Sequence, residues 1–382
     1  MDRGRHASIH HKRKHHKHNV SIMMPHTVSR PSPYKPPYYP EINRSRSPSL
    51  TTLSSSTPVG HRPLQILLIV LACLAFLVTI FFSFLFGYGS SHGIFMAAVR
   101  NGIGTVSDKF SLEVTPARWT FGIWIFIYVW QALFLCYALS TICRSGPAGG
   151  YLYYDNKHIP AFIYAIYMLN LALNIGWLFL WDHELLHATL GALFLIAASL
   201  LAILFVLTNR LANFGLELIR ANLLEEIWLV TLAAHNGLAM YCAWVVHAAT
   251  LNLGIILRYF GGVQDYIASC LVLAIICFAV LFYSFADFFL VDRCVRYLFT
   301  PYIVAIVYLC GVMTKEWDRT KVNFILTVVL LGLVSFLTLV KVILVVWRYV
   351  SSPVFEEALP PPNNISTDKT VALYPYRSMH MA

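Results

Sequence analysis

The chain has 382 residues, of which 58% are hydrophobic and only 12% are charged, whereas about 25% of the residues in an ordinary soluble domain are charged. This composition excludes a water-soluble globular protein and predicts that most of the chain lies in a lipid bilayer. The net charge of +10 does not indicate a nucleic-acid partner, because eleven of the 28 Lys and Arg residues precede residue 63 in a very polar segment.

Residues 1–62 are predicted to be a disordered cytoplasmic tail. The segment begins with a run of Arg, His and Lys and continues with Pro and Ser, so it cannot bury enough apolar surface to offset the entropy of ordering. We expect its basic residues to be attracted to anionic lipid headgroups. Residues 349–382, which include three consecutive prolines, are predicted to be a second disordered cytoplasmic tail.

Between the tails, apolar stretches with few or no charges predict about eight transmembrane helices, since about 20 residues span a 30 Å hydrocarbon core. They are residues 64–88, 119–143, 159–181, 185–208, 235–257, 266–290, 298–314 and 322–347. The seventh, at about 17 residues, is short for a full crossing. Residues 222–234 are predicted to form an interfacial helix before the fifth span. Pro116, Pro160 and Pro301 lie near predicted helix starts, where a missing N–H costs little.

The distribution of Lys and Arg predicts that both termini are cytoplasmic. The basic residues of the N-terminal tail decide the orientation, because the internal loops are nearly balanced. An even number of spans then returns the C-terminus to the same side. The membrane compartment is not indicated by the sequence.

Trp, Asn and Tyr recur at helical spacings in three of the predicted spans. The third span has four of them at i, i+4, i+7 and i+11, namely Asn170, Asn174, Trp177 and Trp181. A side-chain amide in hydrocarbon needs a hydrogen-bond partner, and a Trp in mid-span is away from the wet interface. We therefore expect these side chains to face the bundle interior and to line an aromatic cavity. Interhelical packing and hydrogen bonding is the alternative interpretation.

Three sequence blocks carry a family resemblance. They are GTVSDKFSLEVTPARWTFGIWIFIY at 104–128, LNLALNIGWLFLWDHELL at 169–186 and MYCAWVVHAATLN at 240–252. Their order and spacing resemble the tryptophan-rich sensory protein family, which includes TspO and the translocator protein, or peripheral benzodiazepine receptor. The resemblance implies an all-α membrane protein with a five-helix core at 63–258, followed by three further helices at 259–348 that resemble the longer form of the family.

The resemblance also implies a ligand site within the bundle, capped by a lid at residues 89–118. The implied ligand-binding residues are Pro116, Trp119, Phe121, Gly122, Trp124, Tyr128, Asn174, Trp177, Trp244, Ala248 and Asn252. Two positions depart from the family pattern. Arg118 stands where Gly is usual, so it either blocks close backbone approach or offers a cation to a ligand carboxylate, and Ile123 replaces a Pro.

The function expected from this resemblance is binding, sensing or translocation of a flat hydrophobic ligand, either a tetrapyrrole or a sterol-like molecule. Planar apolar ligands suit a pocket of aromatic faces with a few polar groups. No cofactor or metal is expected to be required. Weak enzymatic activity stays open, although no catalytic residue can be named, and so does formation of a homo-oligomer.

Two other functions remain open from the sequence. Ionisable groups inside spans are functional candidates, so Asp287 suggests an ion- or proton-coupled secondary transporter. A membrane scaffold that recruits partners through its tail is the third possibility. Lys341 is expected to extend toward the cytoplasmic surface; the alternative, a pair with Asp287, requires the sixth and eighth spans to touch. Asp182 and Glu184 are expected to begin the helix of the fourth span.

Overall fold

The computed structural model describes residues 61–88, 99–144, 151–155, 159–315, 317–352 and 354. Within these ranges the chain is helical and has no strand. Almost all of the predicted N-terminal tail, and the C-terminal tail beyond residue 354, lie outside the described residues. The predicted boundary between a five-helix core and three further helices at residue 258 stays a prediction.

Twelve α-helices occur in the described ranges: α1 Pro63–Tyr88, α2 Ile103–Lys109, α3 Ile123–Cys143, α4 Leu152–Asp155, α5 Ala161–Asp182, α6 Leu186–Arg220, α7 Leu224–Leu229, α8 Asn236–Tyr259, α9 Asp265–Phe285, α10 Asp292–Val295, α11 Thr300–Lys315 and α12 Val322–Ser351. A 3₁₀ turn at Arg118–Gly122 precedes α3. Two π-helical segments, Val230–His235 and Ala286–Leu290, follow α7 and α9.

The predicted class, an all-α membrane protein, is confirmed. Every predicted span is helical, and seven helices of the described chain are long and apolar enough to cross a membrane. The helix of the predicted seventh span, Thr300–Lys315, has 16 residues and is shorter than these seven helices. The short apolar stretch in its sequence predicts this. Long charge-free runs form helices in a bilayer because a helix satisfies every backbone hydrogen bond within its own segment.

Two helices extend well beyond the predicted apolar stretches. α6 continues to Arg220 and is 35 residues long, because charged residues such as Arg210 and Glu217 end an apolar stretch but are good helix formers and do not end a helix. The predicted interfacial helix at 222–234 instead joins the fifth span, since α7, the first π-helical segment and α8 form one continuous helix over Leu224–Tyr259.

The long helices pack around a common core, mostly against their neighbours in chain order. α1 packs against α3 and α5, α5 against α6, and α6 against α8. α8 is the most buried span, because α9 and α11 cover the side that α6 leaves open. α12 packs on α9 and on α11. The three C-terminal long helices therefore extend the same bundle through α8.

An ion-pair network ties the end of α12 to α10. The carboxylate of Asp292 lies 2.5 Å from Arg296 and 2.6 Å from Arg348. Burial alone would raise the pKa of Asp292, but hydrogen bonds and charge from these two guanidinium groups outweigh that effect and hold the pKa below its ordinary value. Arg296 also donates to the carbonyl of Ser352 at 2.8 Å, which satisfies a free carbonyl at the end of α12.

Candidate functional site

Four aromatic residues from three helices form an aromatic cluster, defined as Trp124, Tyr128, Trp177 and Tyr241. Trp124 and Tyr128 of α3 stack with ring centroids 5.5 Å apart. Trp124 also stacks on Trp177 of α5 at 6.0 Å and meets Tyr241 of α8 edge-on at 5.8 Å. These separations are typical of interacting rings, which contribute about 0.5–1.5 kcal/mol per pair beyond burial. The structure thus brings three predicted site residues together inside the bundle.

The predicted polar and aromatic face of α5 is buried along its whole length. Asn170, Asn174, Trp177 and Trp181 are all buried. The Asn174 side-chain amide donates to the hydroxyl of Tyr241 at 2.7 Å, so it belongs to the aromatic cluster. Asn170 instead donates to a carbonyl and a hydroxyl of α6. For Asn170, interhelical hydrogen bonding is therefore the better interpretation.

Two polar atoms beside the aromatic cluster are buried without a hydrogen-bond partner in the described part of the chain. They are Nε1 of Trp177, which is a donor, and Oδ1 of Asn174, which is an acceptor. Leaving a buried polar group unpaired costs about 1–3 kcal/mol. Both groups can therefore bond to a molecule that enters the cluster.

A second aromatic group lies between α8 and α11. Phe121 meets Trp244 edge-on at 6.2 Å, and Trp244 meets Tyr308 of α11 at 6.4 Å. The ring of His247 lies 5.0 Å from that of Tyr308. Asn252 is buried on the same helix as Trp244, and neither polar atom of its side-chain amide has a partner among the described residues.

The remaining predicted site residues do not belong to either group of rings. Trp119 is 55% exposed and donates to the hydroxyl of Thr314 at 3.1 Å. It therefore does not line the interior as expected: it lies in the 3₁₀ turn that precedes α3, and its indole N–H bonds to α11 instead. Pro116 lies in the wall of a cavity near the start of α3. Ala248 is half-buried against the core. Gly122 has open space beside it, since an added Cβ would contact nothing within 4 Å.

Two ring residues were missed by the sequence interpretation. Tyr241 lies in the third family block, three residues before Trp244, so helical spacing could have identified it. Tyr308 lies in α11, outside the predicted five-helix core, and no sequence pattern pairs it with α8.

The segment expected to form a lid is fastened to the end of α5. The carboxylate of Asp182 accepts hydrogen bonds from the backbone N–H groups of Arg100, Asn101 and Gly102 at 2.7 to 2.8 Å. Gly102 has φ of 76°, a conformation that glycine adopts without steric cost. The part of the lid at residues 89–98 lies outside the described residues.

The expected role of the two acidic residues after the third span was wrong. Asp182 ends α5 and binds the backbone at residues 100–102, and Glu184 forms an ion pair with Lys109 of α2 at 2.5 Å. Neither begins α6, whose first residue is Leu186. Three converging N–H donors offer a carboxylate stronger hydrogen bonds than a helix N-terminus in solvent.

The other half of the lid segment is held by the C-terminal helices. The hydroxyl of Tyr308 donates to the carbonyl of Val114 at 3.1 Å, and the N–H of Ala117 donates to the carbonyl of Gly311 at 2.9 Å. Asn323 of α12 donates to Glu113 at 2.6 Å. The segment leading into α3 is therefore part of the bundle. The hydrogen bonds to Asp182 are a separate attachment of the lid segment, at its end near α2.

Asp182→Ala is expected to free the segment around residues 100–102, because three hydrogen bonds to a buried carboxylate are lost. Trypsin should then cleave the detergent-solubilised protein faster after Arg100 and Lys109. The neighbouring variant Leu185→Ala, at an exposed side chain, should leave the cleavage rate unchanged. Equal cleavage rates in Asp182→Ala and the unmodified protein would contradict the fastening.

Asp287 is buried in an ion pair with Lys341 of α12. Its second oxygen accepts a hydrogen bond from the hydroxyl of Tyr302 at 3.0 Å, and Lys341 also donates to the carbonyl of Val295 at 3.3 Å. The expectation that Lys341 extends to the membrane surface was wrong, because α12 packs closely enough on α9 for its ammonium group to reach a buried carboxylate. The pair joins α9, α11 and α12.

The comparisons with known proteins give one match. The family model described as TSPO-like protein matches residues 68–345, which is more than half of the chain and includes the helices after α8. The comparisons with curated proteins and with solved structures found no match.

Proposed function

Because the chain belongs to the TSPO-like protein family, we propose that this multi-pass membrane protein binds a flat hydrophobic ligand, a tetrapyrrole or a sterol-like molecule, at the aromatic cluster. Binding serves sensing or translocation of that ligand within the membrane. The proposal assigns ligand contact to Trp124, Tyr128, Asn174 and Trp177, with Tyr241 added.

One observation supports this function more than any other. An aromatic cluster from three helices is accompanied by a buried donor on Trp177 and a buried acceptor on Asn174 that have no partner among the described residues. Aromatic faces with a few converging polar groups are the usual lining of a small-molecule site. These rings contact one another directly, so a planar molecule would enter by separating two of them. It would replace their mutual stacking with its own and would satisfy both polar atoms.

The hydrogen bonds around the cluster hold its outer rings in place. The hydroxyl of Tyr128 lies 2.6 Å from that of Ser83 on α1, and the hydroxyl of Tyr241 accepts from Asn174. The indole of Trp181 donates to the carbonyl of Ile103 at 3.2 Å, which links the α5 face to α2. Ring planes held in this way are organised before a ligand binds, which reduces the entropic cost of binding.

The binding proposal predicts loss of affinity in the double variant Trp124→Phe/Trp177→Phe. It removes the indole donor and reduces the stacking area, so we expect the apparent Kd for protoporphyrin IX or a fluorescent sterol to rise about tenfold or more. The measurement is the ligand-dependent shift in thermal midpoint of the detergent-purified full chain, since a ligand that binds only the folded state raises the midpoint.

The matched control is Trp347→Phe, at an indole that is 62% exposed near the end of α12. It should leave ligand affinity unchanged. A double variant that has an unchanged ligand-free midpoint and still binds within twofold of the unmodified protein would contradict binding at the aromatic cluster. If neither class of ligand shifts the midpoint of the unmodified chain, the proposed function is wrong.

The transporter and scaffold alternatives gain no specific support. Both carboxylate oxygens of Asp287 are bonded within the bundle, which accounts for its burial by structure alone. The tail expected to recruit partners lies outside the described residues. Cytoplasmic termini remain part of the proposal on the basis of the Lys and Arg distribution.

A further inference from the structure

A cavity of about 190 Å³ lies where α2, the segment that follows it and the end of α11 meet. Its wall includes Ser107, Asp108, Pro116, Arg118, Phe121 and Lys315. One water molecule occupies about 30 Å³ in the liquid, so the cavity has room for a small group of atoms. The C-terminal end of α11, a helix outside the predicted five-helix core, supplies part of this wall.

The cavity wall has an excess of one positive charge. Arg118 is ion-paired with Asp108, so their charges offset each other. Lys315 is exposed and forms no ion pair with any residue that the structure describes. The guanidinium of Arg118 has five N–H donors, so it can bond to Asp108 and to a second carboxylate at once. The two cations therefore favour an anionic group at this position.

The wall of the same cavity contains one aromatic residue. Phe121 lines the cavity and meets Trp244 edge-on at 6.2 Å. Phe121 is also one helical turn before Trp124, which belongs to the aromatic cluster. A charged opening thus adjoins an aromatic interior within one turn of the start of α3. Such an arrangement is complementary to a molecule with a flat apolar body and an acidic group at one end.

We propose that this cavity is a carboxylate subsite, in which Lys315 and Arg118 hold the acidic group of the ligand while its ring system extends past Phe121 toward the aromatic cluster, whose Trp124 follows Phe121 by three residues. The inference rests on the proposed function and narrows its ligand class to planar hydrophobic carboxylates. A neutral sterol would gain nothing from the charge of Lys315. The helices after α8 would then contribute to ligand selection through α11.

Protoporphyrin IX and its dimethyl ester test the subsite, because they share one ring system and differ in their carboxylates. We expect the purified full chain to bind the acid more tightly than the ester, with a difference that shrinks in 1 M salt because of screening. Lys315→Ala should weaken binding of the acid about two- to fivefold, the range of a partly exposed charge pair. Binding of the ester should not change, and Lys315→Arg should retain the affinity for the acid.

The matched control is Arg319→Ala, at a cation that lies over the ring of Trp317 at 5.6 Å, close to α11 but outside the cavity wall. It should leave both affinities unchanged. Equal binding of the acid and the ester by the unmodified chain, or equal effects of Lys315→Ala on the two, would overturn the subsite and leave the proposed function standing. Binding of neither probe would overturn both.

Discussion

Lys341→Met alone is expected to lower the free energy of unfolding by about 3–5 kcal/mol, the usual effect of removing one partner of a buried ion pair. Lys341 and Asp287 are 2% and 1% exposed, so the variant leaves a carboxylate in a low-dielectric interior with Tyr302 as its neutral hydrogen-bond donor. Met has a similar length to the Lys stem, so little packing is lost. The measurement is the unfolding midpoint of the detergent-purified protein.

The double variant Asp287→Asn/Lys341→Met distinguishes the uncompensated charge from lost packing. It removes both charges, and we expect it to recover most of the stability lost in Lys341→Met, since replacing a whole buried pair is often nearly neutral. Arg293→Met, at an exposed cation on α10, is the control and should stay within about 0.5 kcal/mol. A double variant that is no more stable than Lys341→Met would show that the charge is not the cause.

Gly311→Ala is expected to destabilise the protein by about 1–3 kcal/mol, the cost of adding a methyl group where no space exists. A Cβ at Gly311 would overlap Oγ1 of Thr120 and lie 3.0 Å from its Cβ and Cγ2. Gly311 also accepts the backbone hydrogen bond from Ala117, so α11 cannot move away without losing that contact. Thermal unfolding of the purified protein measures the effect.

Gly332→Ala provides a matched control for the same substitution in another helix. A Cβ at Gly332 would meet nothing within 4 Å, and Ala is a better helix former than Gly by about 0.8–1.0 kcal/mol. This variant should therefore be neutral or slightly stabilising. Adding Thr120→Ala to Gly311→Ala should restore part of the lost stability. Equal midpoints for Gly311→Ala and Gly332→Ala would contradict the close contact between α11 and the start of α3.

The two sets of variants address the contacts that join the C-terminal helices to the rest of the bundle. The Asp287–Lys341 pair joins α9, α11 and α12, whereas Gly311 joins α11 to the segment that enters α3. If the carboxylate subsite is correct, Gly311→Ala should also weaken binding of protoporphyrin IX, because it displaces the helix that carries Lys315.

The α5 face shows how far local periodicity can predict a site. Asn170, Asn174, Trp177 and Trp181 were expected on one buried face, and all four are buried. The same pattern could not distinguish Asn170, which bonds to α6, from Asn174, which bonds to Tyr241. Their partners lie 29 and 67 residues away, and a pattern within one helix contains no information about the rotation of its neighbours.

The amino-acid sequence alone determined that the chain is an α-helical membrane protein, which apolar segments belong to its long helices and which side of α5 is buried. Hydropathy and helical period are properties of consecutive residues, so no distant contact can easily reverse them. Only the tertiary structure decided that Lys341 meets Asp287, that Trp119 faces outward, that Asp182 fastens the segment before α2 and that α11 reaches the start of α3. These outcomes depend on the rotation and spacing of helices distant in sequence, where a shift of one turn changes every partner.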